Sequence, residues 1–186
     1  MSAAANENDP VVLVDAGDTP LGSAPKLETH RRGLRHRAIS VLIRNSQGLM
    51  LLQRRAAGKY HSRGLWTNAC CSHPRPGETA LAAARRRLRE EMGFNCALKR
   101  LFLTHYRGAV SDDLIENEVV HVFGGSYDRD PAPDPAEASA WKWQSLPELI
   151  ADQEACPQRY TIWFLHYLRA HRQTIADWLQ GPASGK

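Results

Sequence analysis

No run of apolar residues in this 186-residue chain is long enough to cross a bilayer. The small, polar residues at the start carry no signal-peptide pattern. A cytoplasmic protein without membrane insertion is therefore expected. Cysteine is scarce: Cys70, Cys71, Cys96 and Cys156. Adjacent Cys70 and Cys71 cannot easily bridge each other, and nothing else marks the chain as secreted, so reduced thiols are expected. Charge of one sign is also lacking, because 24 Lys and Arg stand against 20 Asp and Glu, for a formal net charge of +4. The excess sits in Arg31 to Arg37, Arg54-Arg55 and Arg85 to Arg89. These clusters are not interleaved with aromatics and no reading motif accompanies them, which argues against nucleic acid as a partner. They suit either solubility or attraction of a small polyanion. No internal repeat is present, and the sequence sets no oligomeric state; a monomer or weak dimer is the expectation.

What is present fits one domain with a real core. Residues 1–9 read as a disordered tail, 10–180 as the domain and 181–186 as a loose C-terminal end. Val11 to Val14 reads as a peripheral strand and Gly17 to Pro25 as turn-rich. Arg37 to Ile43 and Leu49 to Gln53 read as strands joined by the hairpin signal Asn45-Ser46-Gln47-Gly48. Thr67 to Ser72 reads as one short strand. Thr79 then caps a helix running through Met92 and closed by Gly93, with Leu81, Ala84, Leu88 and Met92 on one face. Leu98 to Tyr106, Val119 to Tyr127 and Trp141 to Trp143 read as strands, and Leu146 to Ile150 as a short helix. From Tyr160 to Leu179 the apolar spacing predicts one amphipathic helix. The order of elements predicts an α/β fold, a mixed sheet with helices on both faces.

The chemistry-bearing residues are concentrated in two stretches. Cys71 and His73 are two apart, on one face of an extended segment. Cys71 is read either as an inert packed thiol or as a catalytic one; Cys70 points the other way and receives no role. His30, His36 and His73, with Glu116 and Glu118, are a ligand set that suits a divalent transition metal. Glu90 and Glu91 stand at a helix end, where the dipole disfavours acids. They are read either as ion-pair partners of Arg86 and Arg87 or as ligands of a phosphate-bound magnesium ion. Lys26, Arg55, Lys59 and Arg87 are either solvated charges or a diphosphate clamp. Trp163 is core by default, although an aromatic face also stabilises a carbocation.

Leu65-Trp66-Thr67-Asn68-Ala69-Cys70-Cys71-Ser72-His73-Pro74, with Glu116-Asn117-Glu118-Val119 downstream, resembles the type I isopentenyl-diphosphate isomerases of the Nudix superfamily. Gly33 to Val41 has the same look, and the resemblance runs from about Val11 to beyond Trp163. Against the general Nudix hydrolase box, Glu78, Arg86, Leu88, Glu90, Glu91 and Gly93 match. Ser72 stands where the first glycine would be, Arg87 replaces an acid and Phe94 loosely matches the final aliphatic. Losing that acid weakens a hydrolytic magnesium site, and a basic residue there suits diphosphate binding.

The resemblance implies a Nudix-like mixed sheet between helices, with a peripheral N-terminal strand and a C-terminal helix. It implies an enzyme interconverting isopentenyl and dimethylallyl diphosphate in isoprenoid precursor synthesis. Cys71 and Glu118 would be the catalytic pair, with Tyr106 beside Glu118. A Mn2+ or Zn2+ ion would be held by His30, His36, His73, Glu116 and Glu118. A Mg2+ ion near Glu91 would bridge to the diphosphate. Lys26, Arg55, Lys59 and Arg87 would clamp that group, and Trp163 would face the cation. Two rivals stand beside this reading: a Nudix hydrolase acting on a nucleoside diphosphate derivative, and a non-catalytic, metal-stabilised binding module.

Overall fold

The computed structural model describes residues 8–181; the expected tails lie outside the described residues except at residues 8, 9 and 181. The described residues form nine strands: β1 (Pro10–Val14), β2 (Pro20–Pro25), β3 (His36–Arg44), β4 (Met50–Arg55), β5 (Trp66–Asn68), β6 (Cys70–Ser72), β7 (Leu98–Ser111), β8 (Leu114–Ser126) and β9 (Ala138–Gln144). The helices are α1 (Lys26–Arg32), α2 (Ala80–Met92), α3 (Leu146–Ala155), α4 (Ile162–Ala170) and α5 (Arg172–Gln180). Among the described residues no helix is long and apolar enough to cross a membrane.

Strand β3 is the axis. It runs parallel to β8 from His36↔Glu118 to Arg44↔Ser126, and antiparallel to β6 through Ser40↔Cys71. Strand β7 extends this sheet as an antiparallel hairpin with β8. Side chains alternate along a strand, and β3 shows it cleanly. Ile39, Val41 and Ile43 pack against Ala83, Ala84, Leu88 and Met92 of α2. Ala38 and Leu42 face the other way, with Val120 and Val122, onto Phe164, Leu168, Ile175 and Leu179. The α/β expectation of a mixed sheet with helices on both faces is thus observed.

The α2 boundaries follow their caps. Thr79 Oγ1 accepts from the Ala82 N–H at 3.2 Å, and Gly93 ends the helix at φ 77°. A side chain at Gly93 would also run into the Ala132 carbonyl.

Four readings of the sequence need correction. The Asn45–Gly48 turn joins β3 to β4, but the strands pair only at Arg44↔Met50 and then diverge. Strand β4 goes on to pair with β5 and β9 instead. Thr67 to Ser72 is two strands, because the chain changes partners at Ala69 from β4 to β3. The stretch taken as turn-rich contains β2, which is held by β1. The single C-terminal helix is two, broken at His171 (φ −125°, ψ 23°). The His171 ring stacks on Phe102 at 4.0 Å, and its Nε2 meets Thr104 Oγ1 at 2.9 Å. The bend lets Ile175 and Leu179 join the same core as Phe164.

Candidate active site

The face of β3 and β8 that packs on α4 and α5 is apolar in its middle and polar at one end. Continuing the alternation, His36 and Ser40 on β3, and Glu116 and Glu118 on β8, project from that face. Strand register then sets who meets whom, since directly opposed side chains on one face are neighbours. His36 opposes Glu118, and His36 Nε2 lies 3.5 Å from Glu118 Oε1. Tyr106 opposes Glu118 across the β7–β8 hairpin, and its hydroxyl donates to Glu118 Oε2 at 2.6 Å. Ser40 opposes Cys71, with Oγ 2.8 Å from Sγ. Cys71 also reaches Asn68 Oδ1 at 3.1 Å. His73, two residues on from Cys71, meets Glu118 Oε1 at 3.0 Å.

Helix α1 delivers the last histidine. His30 Nε2 lies 3.0 Å from Glu116 Oε2, while its Nδ1 donates to the Lys26 carbonyl at 2.6 Å. His36 Nδ1 likewise donates to the Leu34 carbonyl at 2.8 Å. A neutral ring whose Nδ1 carries the proton has only a lone pair at Nε2. Lone pairs from His30 and His36 therefore converge on two carboxylates, and His36 Nε2 is 3.2 Å from His73 Nε2. One donor atom from each of His30, His36, His73, Glu116 and Glu118 lies within 4.8 Å of the others. That convergence of donors without protons fits a divalent cation. Without one, burial disfavours the charged His30 ring, but the Glu116 carboxylate outweighs it and raises the pKa. Burial would raise Glu116, yet the His30 and His61 rings hold it well below the usual carboxylate range.

Of these groups His73, Glu116 and Glu118 open onto one cavity of about 100 Å³, with His30 and His36 buried behind them. Cys71, Tyr106, Glu116, Glu118 and Trp163 line it, and so do Lys26, Arg55, Lys59 and Arg87. The cations come from separate elements: α1, the end of β4, the following loop and α2. The Arg55 guanidinium sits 5.3 Å over the Trp163 ring, and its buried Nε has no hydrogen-bond partner. A buried donor left unmatched is costly and is suited to an incoming anion. Burial and the neighbouring Lys59 lower Lys26 to about 8. The Trp163 indole N–H donates to Thr67 Oγ1 at 2.8 Å, which fixes the ring.

Glu91 stands differently from the others. It is 3 % exposed, is absent from the cavity wall and pairs with Arg87 Nη2 at 2.8 Å. Glu90 pairs with Arg87 at 2.8 Å and with Arg86 at 3.3 Å, so the ion-pair reading of both acids is observed.

Cys71 and Glu118 hold protons differently. Desolvation, opposed by the Ser40 and Asn68 hydrogen bonds, pushes the Cys71 thiol up to about 12. For Glu118, burial and Glu116 act upward, but the His36 and His73 contacts prevail and lower it. Burial and Glu118 together raise the Tyr106 phenol well above its ordinary value.

The structure also brings in residues that the sequence reading did not select. Ser40, Asn68 and Tyr167 surround Cys71, with the Tyr167 hydroxyl 3.1 Å from Ser40 Oγ. Glu137 lines the cavity and holds both Lys59 and Arg87. His61, in the β4–β5 loop, places Nε2 3.2 Å from Glu116 Oε1. None of these lies at a ligand-type spacing from another site residue. Only strand pairing could point to Ser40, and no signal in the sequence points to His61 or Glu137.

The chain is similar to known proteins in sequence and in fold. The NUDIX domain model matches residues 34–164. The isopentenyl-diphosphate Delta-isomerase 1 of Aromatoleum aromaticum is 54% identical over 155 residues, covering 83% of this chain and 88% of that protein. The isopentenyl-diphosphate Delta-isomerase of Serratia proteamaculans is 48% identical over 159 residues, covering 86% and 89%. Among solved structures, one from Deinococcus radiodurans superposes with a TM-score of 0.72 at 20% identity, covering 87% of this chain and 98% of that one. A MutT protein from Methanosarcina mazei gives 0.62 at 18% identity, covering 79% and 96%. The solved structures speak for the fold; the close relatives go further, and the chain belongs to the isopentenyl-diphosphate Delta-isomerase family of NUDIX-domain enzymes.

Proposed function

We propose that this isomerase interconverts isopentenyl and dimethylallyl diphosphate by adding a proton on one side of the alkene at Glu118 or Cys71 and removing one on the other. The observation that carries the reading is the shared cavity: Cys71 and Glu118 both line it, and so do the four cations Lys26, Arg55, Lys59 and Arg87. Desolvation keeps Cys71 a thiol at neutral pH, whereas Glu118 is a carboxylate. The pair thus holds one exchangeable proton, as a reaction that takes one in and lets one out requires. Running the reaction backwards exchanges the acid and base roles.

Protonating an unactivated alkene gives a tertiary carbocation that water would trap as an alcohol. The Trp163 ring and the apolar wall behind it exclude water and favour the cation. Tyr106 holds Glu118 Oε2, which fixes the carboxyl group's orientation. Ser40 and Asn68 fix the sulfur in the same way. Lys26, Arg55, Lys59 and Arg87 anchor the diphosphate, so remote binding energy places the carbon chain between the reacting groups. Mn2+ or Zn2+ held by His30, His36, His73, Glu116 and Glu118 would supply charge that makes Glu118 a stronger acid whenever it carries the proton, and Mg2+ taken up at Glu91, in place of part of its pairing with Arg87, would neutralise the diphosphate. The Nudix hydrolase rival is disfavoured, because Arg87 stands where that chemistry needs an acid and is paired with Glu91.

The test is incubation with isopentenyl diphosphate and Mg2+ in heavy water, followed by NMR. Dimethylallyl diphosphate carrying deuterium in a methyl group is expected. Release of phosphate without isomer, or isomer without deuterium, contradicts the reading.

A further inference from the structure

We infer that His61 is a positioning residue that holds Glu116 to the metal through a single oxygen. The inference deepens the metal reading proposed above and rests on it. The two oxygens of Glu116 face different ways. Oε2 faces the cluster, 3.0 Å from His30 Nε2 and 4.0 Å from His36 Nε2. Oε1 faces outward and meets His61 Nε2 at 3.2 Å. The Ser62 hydroxyl lies 3.1 Å from His61 Nδ1, where it can donate. The His61 proton then sits on Nε2 and is directed at Glu116 Oε1. His61 itself stands outside the five converging ligands.

The physical consequence is twofold. An unrestrained carboxylate can bind a cation through both oxygens, whereas an N–H on one oxygen leaves the other to bind alone. Glu116 is also only 3 % exposed, so its outer oxygen would lack a partner without His61. Hydrogen-bond partners of this kind orient metal ligands and hold their affinity.

The ring is well fixed for such a task. It is 6 % exposed, stands edge-on to Tyr60 at 4.4 Å and to Trp163 at 5.9 Å. The His61 carbonyl accepts from Arg55 Nη2 at 3.2 Å. Ser62, the next residue, has a left-handed backbone (φ 50°), a strained conformation for a non-glycine residue. One residue thereby ties a metal ligand, the cavity tryptophan and a clamp arginine together.

The experiment compares full-length wild type, His61→Phe and His61→Gln, each stripped of metal, for Zn2+ affinity by competition with a fluorescent chelator. His61→Phe keeps the ring and loses the N–H. Its affinity is expected to fall roughly 10–100-fold, and His61→Gln, whose amide can donate, to recover most of that loss. X-ray absorption of the Zn2+-loaded proteins should count the same number of imidazole ligands in wild type and His61→Phe. Should His61→Phe not fold, His61→Asn, whose amide stops short of Glu116, takes its place against His61→Gln. Unchanged affinity in the variant without a reaching N–H overturns the inference, and so does the loss of one imidazole, which would make His61 a ligand. A wild-type protein that binds no Zn2+ contradicts the metal reading itself.

Discussion

Cys70 and Cys71 are the same residue, side by side on one strand, in opposite chemical worlds. Cys70 is 0 % exposed and packs with Leu88, Met92 and the other apolar residues that α2 lays on the sheet. Burial raises its thiol well above the ordinary value. Cys71 is half-buried on the other face, bonded to Ser40 and Asn68 and open to the cavity. The pleat alone separates them. One face of β3 is closed by the apolar side chains of Ile39, Val41 and Ile43. The other face closes over α4 and α5 but turns polar at one end, where His36, Tyr106 and Glu118, and Ser40 with Cys71, meet as cross-strand neighbours. The same alternation that builds the core therefore builds the site.

The comparison can be broken most sharply at the cysteines themselves. Cys71→Ala should lower kcat by roughly 10²–10⁴-fold, the range for losing a positioned acid or base, with an unchanged circular dichroism spectrum. Cys70→Ala should keep kcat and lose only about 1 kcal/mol of stability. Equal effects of the two would erase the distinction between the faces. The closed face offers the reverse experiment. Leu88→Ala opens a cavity beneath α2 and should cost about 2–5 kcal/mol in urea unfolding, while the rate per folded molecule stays unchanged.

At the polar end, pH reports on Lys26. Its ammonium form, the one that binds diphosphate, predominates below about 8 in the free protein. Above that pH the free enzyme loses the proton, and the bound diphosphate favours putting it back. KM should therefore rise with pH, approaching about tenfold per unit, and Lys26→Met should flatten the rise. The smallest effect is expected at Ser40. Ser40→Ala leaves Asn68 on the sulfur and removes one of the sulfur's two hydrogen bonds, so kcat should drop by about fivefold, near 1 kcal/mol, with KM unchanged.

Much of this was legible in the residues. Apolar spacing, the Thr79 cap and Gly93 located α2 to its ends. The Cys71–His73 spacing and the Glu116–Glu118 spacing put each pair on one strand face, and the structure brings both pairs to one cavity. What escaped depends on partners distant in sequence. Nothing local says that the chain changes strand partners at Ala69, because a short β-like run looks the same with one partner or two. The break at His171 follows from its stacking on Phe102, which is 69 residues away in the chain, and the helical period runs on through it. His61 and Glu137 sit outside strands and helices, where no period constrains a side chain. Their roles come from the loop paths alone.

The most direct test is a crystal structure of the wild-type enzyme with Mg2+ and the unreactive saturated analogue isopentyl diphosphate. The account predicts the diphosphate on Lys26, Arg55, Lys59 and Arg87, and the branched carbon chain between Cys71 and Glu118, within about 4 Å of both. A carbon chain in reach of only one of the two, or a diphosphate seated away from those cations, would contradict it.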